Sequence, residues 1–201
     1  MSRELLIVFV KNIVLGKVKT RLARNIGNTG AFNVYKQLFN ITQSETINLN
    51  IDRHIYFSDV TIKTAWPNDA KFVQKGEDIG IRMENAFRKG FELGYDHIIL
   101  IGSDLPDISE KVIKQGFKYL SKTDFIFGPA TDGGYYLVGM KTLLSGVFHN
   151  KPWSRPNLMQ TTHEFIVNNK KSIEYLEKMN DIDTIDDLNK SSLNSVYKTN
   201  L

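Results

Sequence analysis

The 201-residue chain contains no cysteine, which excludes disulfides, thiolate metal sites and a cysteine nucleophile. Nor does it contain an apolar run of 18 residues, so a membrane-spanning helix is not expected. Met1-Ser2-Arg3-Glu4 runs directly into an apolar segment, without the longer apolar stretch of a secretory leader. A cytoplasmic location is the expectation. A bulk excess of charge of one sign is nearly absent. Lys plus Arg number 26 and Asp plus Glu 22, a net charge of +4. That slight, scattered excess suits a small anionic ligand and gives no reason to expect nucleic acid or a membrane as partner. The four histidines, His54, His97, His149 and His163, include no pair at metal-ligand spacing and read as scaffold. Repeats, low-complexity stretches and linkers are also missing, so one domain over 1–190 followed by a polar tail, 191–201, is the expected organisation.

What the chain does have is alternation of strand and helix patterns. Leu5 to Val10, Arg53 to Phe57, Ile98 to Ile101, Phe125 to Phe127, Tyr135 to Val138 and Ile173 to Leu176 are short apolar, β-branched or aromatic runs. Between them lie helical periods. Phe32, Tyr35, Leu38, Phe39 and Thr42 mark a helix over 29–47, and Ile79, Met83, Phe87 and Phe91 mark one over 78–94. Ser109 caps a third helix to about residue 120, a fourth spans about 156–169, and Thr184 caps a short fifth. This order predicts an α/β fold with a mainly parallel central sheet and helices on both faces.

Four segments carry candidate chemistry. Gly102-Ser103-Asp104-Leu105-Pro106-Asp107 follows a buried strand, and ligands in such folds bind outside the carboxyl ends of strands. Asp104 could hold a metal against a nucleotide phosphate; equally, Ser103 and Asp104 could only shape a turn. The loop after the first strand carries Lys11, Gly16, Lys17, Lys19, Thr20 and Arg21. Glycine permits close backbone approach, and a helix start with added cations suits phosphate. Walker A spacing is absent, and a solvated basic turn is the alternative. Ala130-Thr131-Asp132-Gly133-Gly134-Tyr135 reads as a hairpin turn or as a pocket floor. In Asp181-Ile182-Asp183-Thr184, alternation puts Asp181 and Asp183 on one side, while Thr184 with Asp187 forms a helix-start pair. Asp104, Asp181 and Asp183 would together suit Mg²⁺ or Mn²⁺, hard ions that take carboxylate and phosphate oxygens. Arg82, at a helix start, is a surface charge or a ligand reader. Trp153, beside Ser154, packs or stacks on a base or sugar.

Taken in order, these segments resemble the DUF2064 family of GT-A-type, nucleotide-diphospho-sugar-transferase-like proteins, also called selenodomain-associated transferase 1. The resemblance spans about residues 5–188. It rests on Val18-Lys19-Thr20-Arg21-Leu22-Ala23, Gly80-Ile81-Arg82-Met83 after Gln74, the Gly102–Asp107 run, Gly128 to Tyr136, Pro152-Trp153-Ser154 and Asp181–Thr184. One departure is clear: Ile13 and Leu15 stand where the family's first loop usually carries prolines. The chain also looks like guanylyltransferases acting on phospholactate or phosphoenolpyruvate. The resemblance implies a Rossmann-like GT-A fold, a nucleotide or nucleotide sugar as ligand, a small-molecule acceptor and metal at Asp104, Asp181 and Asp183. It also implies acceptor contacts at Gly133, Gly134, Tyr135 and Ser154.

Two reactions fit. In glycosyl transfer Asp132 would be the base. In nucleotidylyl transfer Lys19 and Arg21 would hold the leaving pyrophosphate as exposed cations. A non-catalytic nucleotide sensor is the third reading.

Overall fold

The computed structural model describes residues 3–194. In chain order the elements are β1 Glu4–Val10, α1 Thr20–Ile47, β2 Asp52–Phe57, β3 Ala70–Val73, α2 Ile79–Glu92, β4 His97–Ile101, α3 Glu110–Leu120, β5 Phe125–Pro129, β6 Tyr135–Met140, α4 Leu158–Asn168, β7 Ile173–Tyr175 and α5 Ile185–Lys190. The strands form one sheet in the order β3-β2-β1-β4-β6-β5-β7. All neighbouring pairs are parallel except the two made by β6, which runs opposite to β4 and β5. Six strands therefore end at one edge of the sheet, and β6 begins there.

The central strands are apolar on both sides because helices cover both faces. Leu6, Val8 and Val10 of β1 join Ile99 and Ile101 of β4 under α1 and α3, with Phe39, Ile113 and Phe117. Leu5, Ile7 and Phe9 alternate with them and meet Met83 and Phe87 of α2 and Ile166 of α4. A third cluster joins α1 to α5 through Leu22, Val34, Leu38, Ile182 and Leu188, and takes in Leu193. Residues 195–201 of the expected tail lie outside the described residues.

Two local features differ from the expectation, and a third agrees with it. The first helix starts at Thr20 rather than near residue 29, with a kink at Gly27, where φ is 74°. Gly27-Asn28 interrupts the apolar period and hides the Leu22–Ile26 turn before it. The strand β3 escapes sequence patterning because it has four residues, half-exposed at the sheet's edge. The segment Asp132-Gly133-Gly134 does connect adjacent antiparallel strands, so the hairpin reading is correct; the turn also stands at the ligand edge.

Candidate active site

A cleft of about 520 Å³ opens along the edge where the parallel strands end. Lys11 after β1, Ser58 after β2, Gln74 after β3 and Asp104 after β4 line it from the sheet. Arg82 of α2, Asp132 and Gly134 of the β5–β6 turn, Tyr135, Trp153, Ser154, Asp181 and Asp183 complete its chemically active lining. Its charged residues are thus two cations, Lys11 and Arg82, and four carboxylates.

The ends of β1 and β4 are tied together by one buried phenol. Tyr35 of α1 is fully buried. Its hydroxyl accepts from the Lys11 N–H at 2.8 Å, donates toward the Lys11 carbonyl at 3.3 Å and lies 2.8 Å from Ser103 Oγ. Burial, and then the nearby Asp104 charge, push the Tyr35 phenol well above its ordinary pKa, so it stays neutral. Asn12 performs the same task between β1 and β2: its Oδ1 accepts from the Asp59 and Val60 N–H groups at 2.8 and 3.2 Å.

Lys19 differs from the expected exposed phosphate clamp. Its side chain is 3% exposed, and Nζ lies 3.0 Å from Asp104 Oδ2 and 3.8 Å from Asp183 Oδ1. Its backbone is left-handed, with φ 48° and ψ 48°, just before α1. Two carboxylates give the ammonium the partners that burial demands, and so it turns inward. Arg21 reaches Asp183 Oδ2 from the solvent side, Nη1 at 2.9 Å. Neither cation belongs to the cleft lining; each is paired with one or two of its carboxylates.

Asp104 and Asp183, 79 positions apart, thus converge on one cation. Asp181 lines the same cleft and contacts neither Lys19 nor Arg21 as an ion pair. Its carboxyl is pushed up to about 6, first by burial and then by the Asp132 charge, with Lys19 pulling the other way. Among the described residues, no three carboxylate or imidazole groups form a ready-made metal cage, so the expected trio is not gathered into one ligand set. The segment is anchored as alternation predicts: Ile182 is buried, and its N–H donates to the Asp104 carbonyl at 3.1 Å. Thr184 and Asp187 form the capping box that starts α5, so Asp187 is structural.

The opposite wall is built on two glycines. At Gly133 φ is 93°, and a Cβ there would lie 2.0 Å from the Pro156 carbonyl oxygen. Gly133 therefore shapes the turn and seats the 150–157 loop, and it is Gly134 that lines the cleft. At Gly80 a Cβ would lie 2.4 Å from the Phe148 carbonyl oxygen and 2.5 Å from Trp153 Cζ2. Trp153 consequently wedges between the start of α2 and β6, edge-on to Tyr135 at 6.5 Å between ring centres. The buried carboxylate of Glu84 holds this loop down through His149 Nε2 at 2.5 Å. Asp132 Oδ1 accepts the Gly134 N–H at 2.8 Å, which fixes the carboxylate at the turn.

Gly16 and Thr20, expected at the phosphates, are not part of the cleft lining; Gly16, with φ 78°, turns the loop beside Asn28. Conversely, Phe9, Ser58 and Gln74 line the cleft without being among the expected site residues. Ser58 and Gln74 each directly follow a strand, a position akin to that of Asp104, three residues past the end of β4. Gln74 Nε2 donates to the carbonyls of Val10 and Tyr56 at 3.3 and 3.1 Å and so closes the β1–β2–β3 end.

Comparison with known proteins agrees with this architecture. The crystal structure of a candidate nucleotide-diphospho-sugar transferase from Desulfovibrio desulfuricans G20 is 30% identical, with a TM-score of 0.89 over 100% of this chain and 96% of that one. The bifunctional IspDF of Campylobacter jejuni shares 14% identity and a TM-score of 0.62, over 95% of this chain and 55% of that one. A cytidylyltransferase from Leptospira borgpetersenii serovar Hardjo-bovis shares 13% and 0.57, over 100% and 95%. The last two likenesses are of fold alone. No curated protein matches the chain. The fold is the Rossmann-like GT-A type that the motifs imply. Residues 49–155 match the family described as "Uncharacterized protein conserved in bacteria (DUF2064)", and the chain, so matched over more than half its length, belongs to that family.

Proposed function

We propose that this chain is a metal-dependent transferase that moves a glycosyl group from a nucleotide sugar to a small hydroxylic acceptor. The observation that carries the reading is the split character of the cleft. Lys11 and Arg82 supply cations at the β1 and α2 side, whereas Asp104, Asp132, Asp181 and Asp183 make the rest carboxylate-rich beside the aromatic rings of Tyr135 and Trp153. A phosphorylated acceptor would meet like charge there. A hydroxylic one finds hydrogen-bond acceptors and an aromatic face.

The residues fit a magnesium or manganese ion that arrives with the donor. Such an ion takes one or two carboxylates and leaves its other positions to water and phosphate. Asp104 and Asp183, already facing one cation, are the carboxylates that would hold it. When bound, the ion would neutralise the diphosphate and stabilise it as a leaving group. Lys11 and Arg82 then bind the phosphates. Trp153 and Tyr135 orient the transferred sugar. Asp132 takes the proton of the attacking hydroxyl as the new glycosidic bond forms and the bond from the anomeric carbon to the diphosphate oxygen breaks.

A second reading, nucleotidylyl transfer to a phosphorylated acceptor, draws on Lys19 and Arg21 at the start of α1. The carboxylate-rich wall of the cleft, which would repel a phosphorylated acceptor, favours the first reading. The test is thermal stabilisation by nucleotide sugars and by nucleoside triphosphates, each with and without Mg²⁺. Ligand at 100 times its Kd stabilises by about 2.7 kcal/mol. The proposal expects metal-dependent stabilisation by a nucleotide sugar, lost in Asp104→Asn. Stabilisation by triphosphates alone would transfer support to the second reading.

A further inference from the structure

We propose that Lys19 is a resident cation that occupies the divalent-ion position between Asp104 and Asp183, so that ammonium and metal ion are alternatives there. The inference rests on the metal-dependent reading above and adds how the site takes its ion. The ammonium is 3% exposed and within 3.8 Å of both carboxylates. A divalent ion held by the same two groups and an ammonium between them would stand at one place, with like charges in contact. The two cannot coexist there.

Two further observations fit an exchange. Lys19 sits in the left-handed region, φ 48°, a conformation that costs a non-glycine residue free energy and that clusters at sites able to switch. Arg21 grips Asp183 from the solvent side at 2.9 Å. That contact keeps Asp183 oriented when the ammonium leaves. The departing ammonium stands beside the cleft in which donor phosphates would lie, and those oxygens replace the carboxylates as its partners. It follows that the free protein binds a divalent ion poorly, and the ion enters together with a nucleotide diphosphate.

The test uses Mn²⁺ alone as probe, with no donor or acceptor, read by electron paramagnetic resonance or calorimetry. Lys19→Met is expected to bind Mn²⁺ at least tenfold more tightly than the unaltered chain, because two carboxylates lose their counter-charge. Asp104→Asn should abolish that gain. Equal or weaker Mn²⁺ binding by a folded Lys19→Met would overturn the proposal. Should Lys19→Met fail to fold, amine labelling of the unaltered chain decides. Lys19 should react slowly in the free protein and severalfold faster at saturating Mn²⁺; a labelling rate unchanged by Mn²⁺ would overturn the exchange. Neither readout involves donor turnover, so failure of the glycosyl-transfer reading appears separately, as absence of nucleoside diphosphate release.

Discussion

Replacing Tyr35 by Phe isolates the bond network that joins the two most chemically important strand ends. The ring stays in its packed position against α1 and α5 neighbours, so no cavity opens. What disappears is one oxygen with three contacts: the Lys11 N–H at 2.8 Å, the Lys11 carbonyl at 3.3 Å and Ser103 Oγ at 2.8 Å. The Lys11 N–H loses its acceptor and buried Ser103 loses its partner. Leaving such groups unsatisfied costs about 1–3 kcal/mol. For a chain of this size each kcal/mol corresponds to roughly 2–4 °C in Tm. Denaturant unfolding and calorimetry should therefore show a loss of about 1–3 kcal/mol at constant m-value. Because Lys11 is one of the phenol's partners and Asp104 follows the other, Ser103, affinity for a nucleotide with Mg²⁺ should fall as well. The matched control is Tyr56→Phe. Tyr56, on β2, is also buried, but its hydroxyl has no hydrogen-bond partner among the described residues. That variant should be as stable as the parent or more so. A Tyr35→Phe loss below about 0.5 kcal/mol, or equal effects of the two variants, would refute the argument.

Asp181 gives a pH signature. Its carboxyl is raised in the folded chain to about 6, so folding favours the protonated form. Stability from this group is complete below about pH 4 and is lost as pH rises through 6, by up to about 3 kcal/mol. Asp181→Asn should then be more stable than the parent at pH 8 without divalent ions and equal to it near pH 4; a difference that does not change with pH contradicts the assignment. Gly80→Ala should lower stability by about 1–3 kcal/mol and change tryptophan fluorescence, because the new methyl group displaces Trp153 or the Phe148 carbonyl. Unchanged emission and stability would mean that the loop does not rest on α2. Trp153→Ala should weaken nucleotide-sugar binding about two- to tenfold, the range expected for an aromatic stacking contact. Binding of the corresponding nucleoside diphosphate should change less, and equal losses would remove Trp153 from the sugar.

The sheet and the edge at which the candidate cleft opens were legible because both depend on local patterns. Asp104 is visible as a carboxylate just past the glycine that ends an apolar run, and the Asp181-Ile182-Asp183 alternation correctly predicts which of the three is buried. The direction of Lys19 was not legible. It depends on a left-handed backbone at the end of a loop and on carboxylates 85 and 164 positions away, none of which spacing encodes. Tyr35 read as an ordinary apolar helix position because its ring is just that, and only the tertiary structure reveals the hydroxyl's partners. Gly133 and Gly80 show the same limit. Turn and helix grammar explain why each tolerates its backbone, but the close approach of Pro156 and Trp153 is a property of packing.

The central claim is glycosyl transfer from a nucleotide sugar, and ³¹P nuclear magnetic resonance tests it most directly. The chain would be incubated with Mg²⁺, a panel of nucleotide sugars, a panel of nucleoside triphosphates and a cell extract as acceptor source. The account predicts nucleoside diphosphate resonances growing from a nucleotide sugar, dependent on Mg²⁺ and absent in Asp104→Asn. Pyrophosphate growing from a triphosphate, with every nucleotide sugar intact, would contradict it.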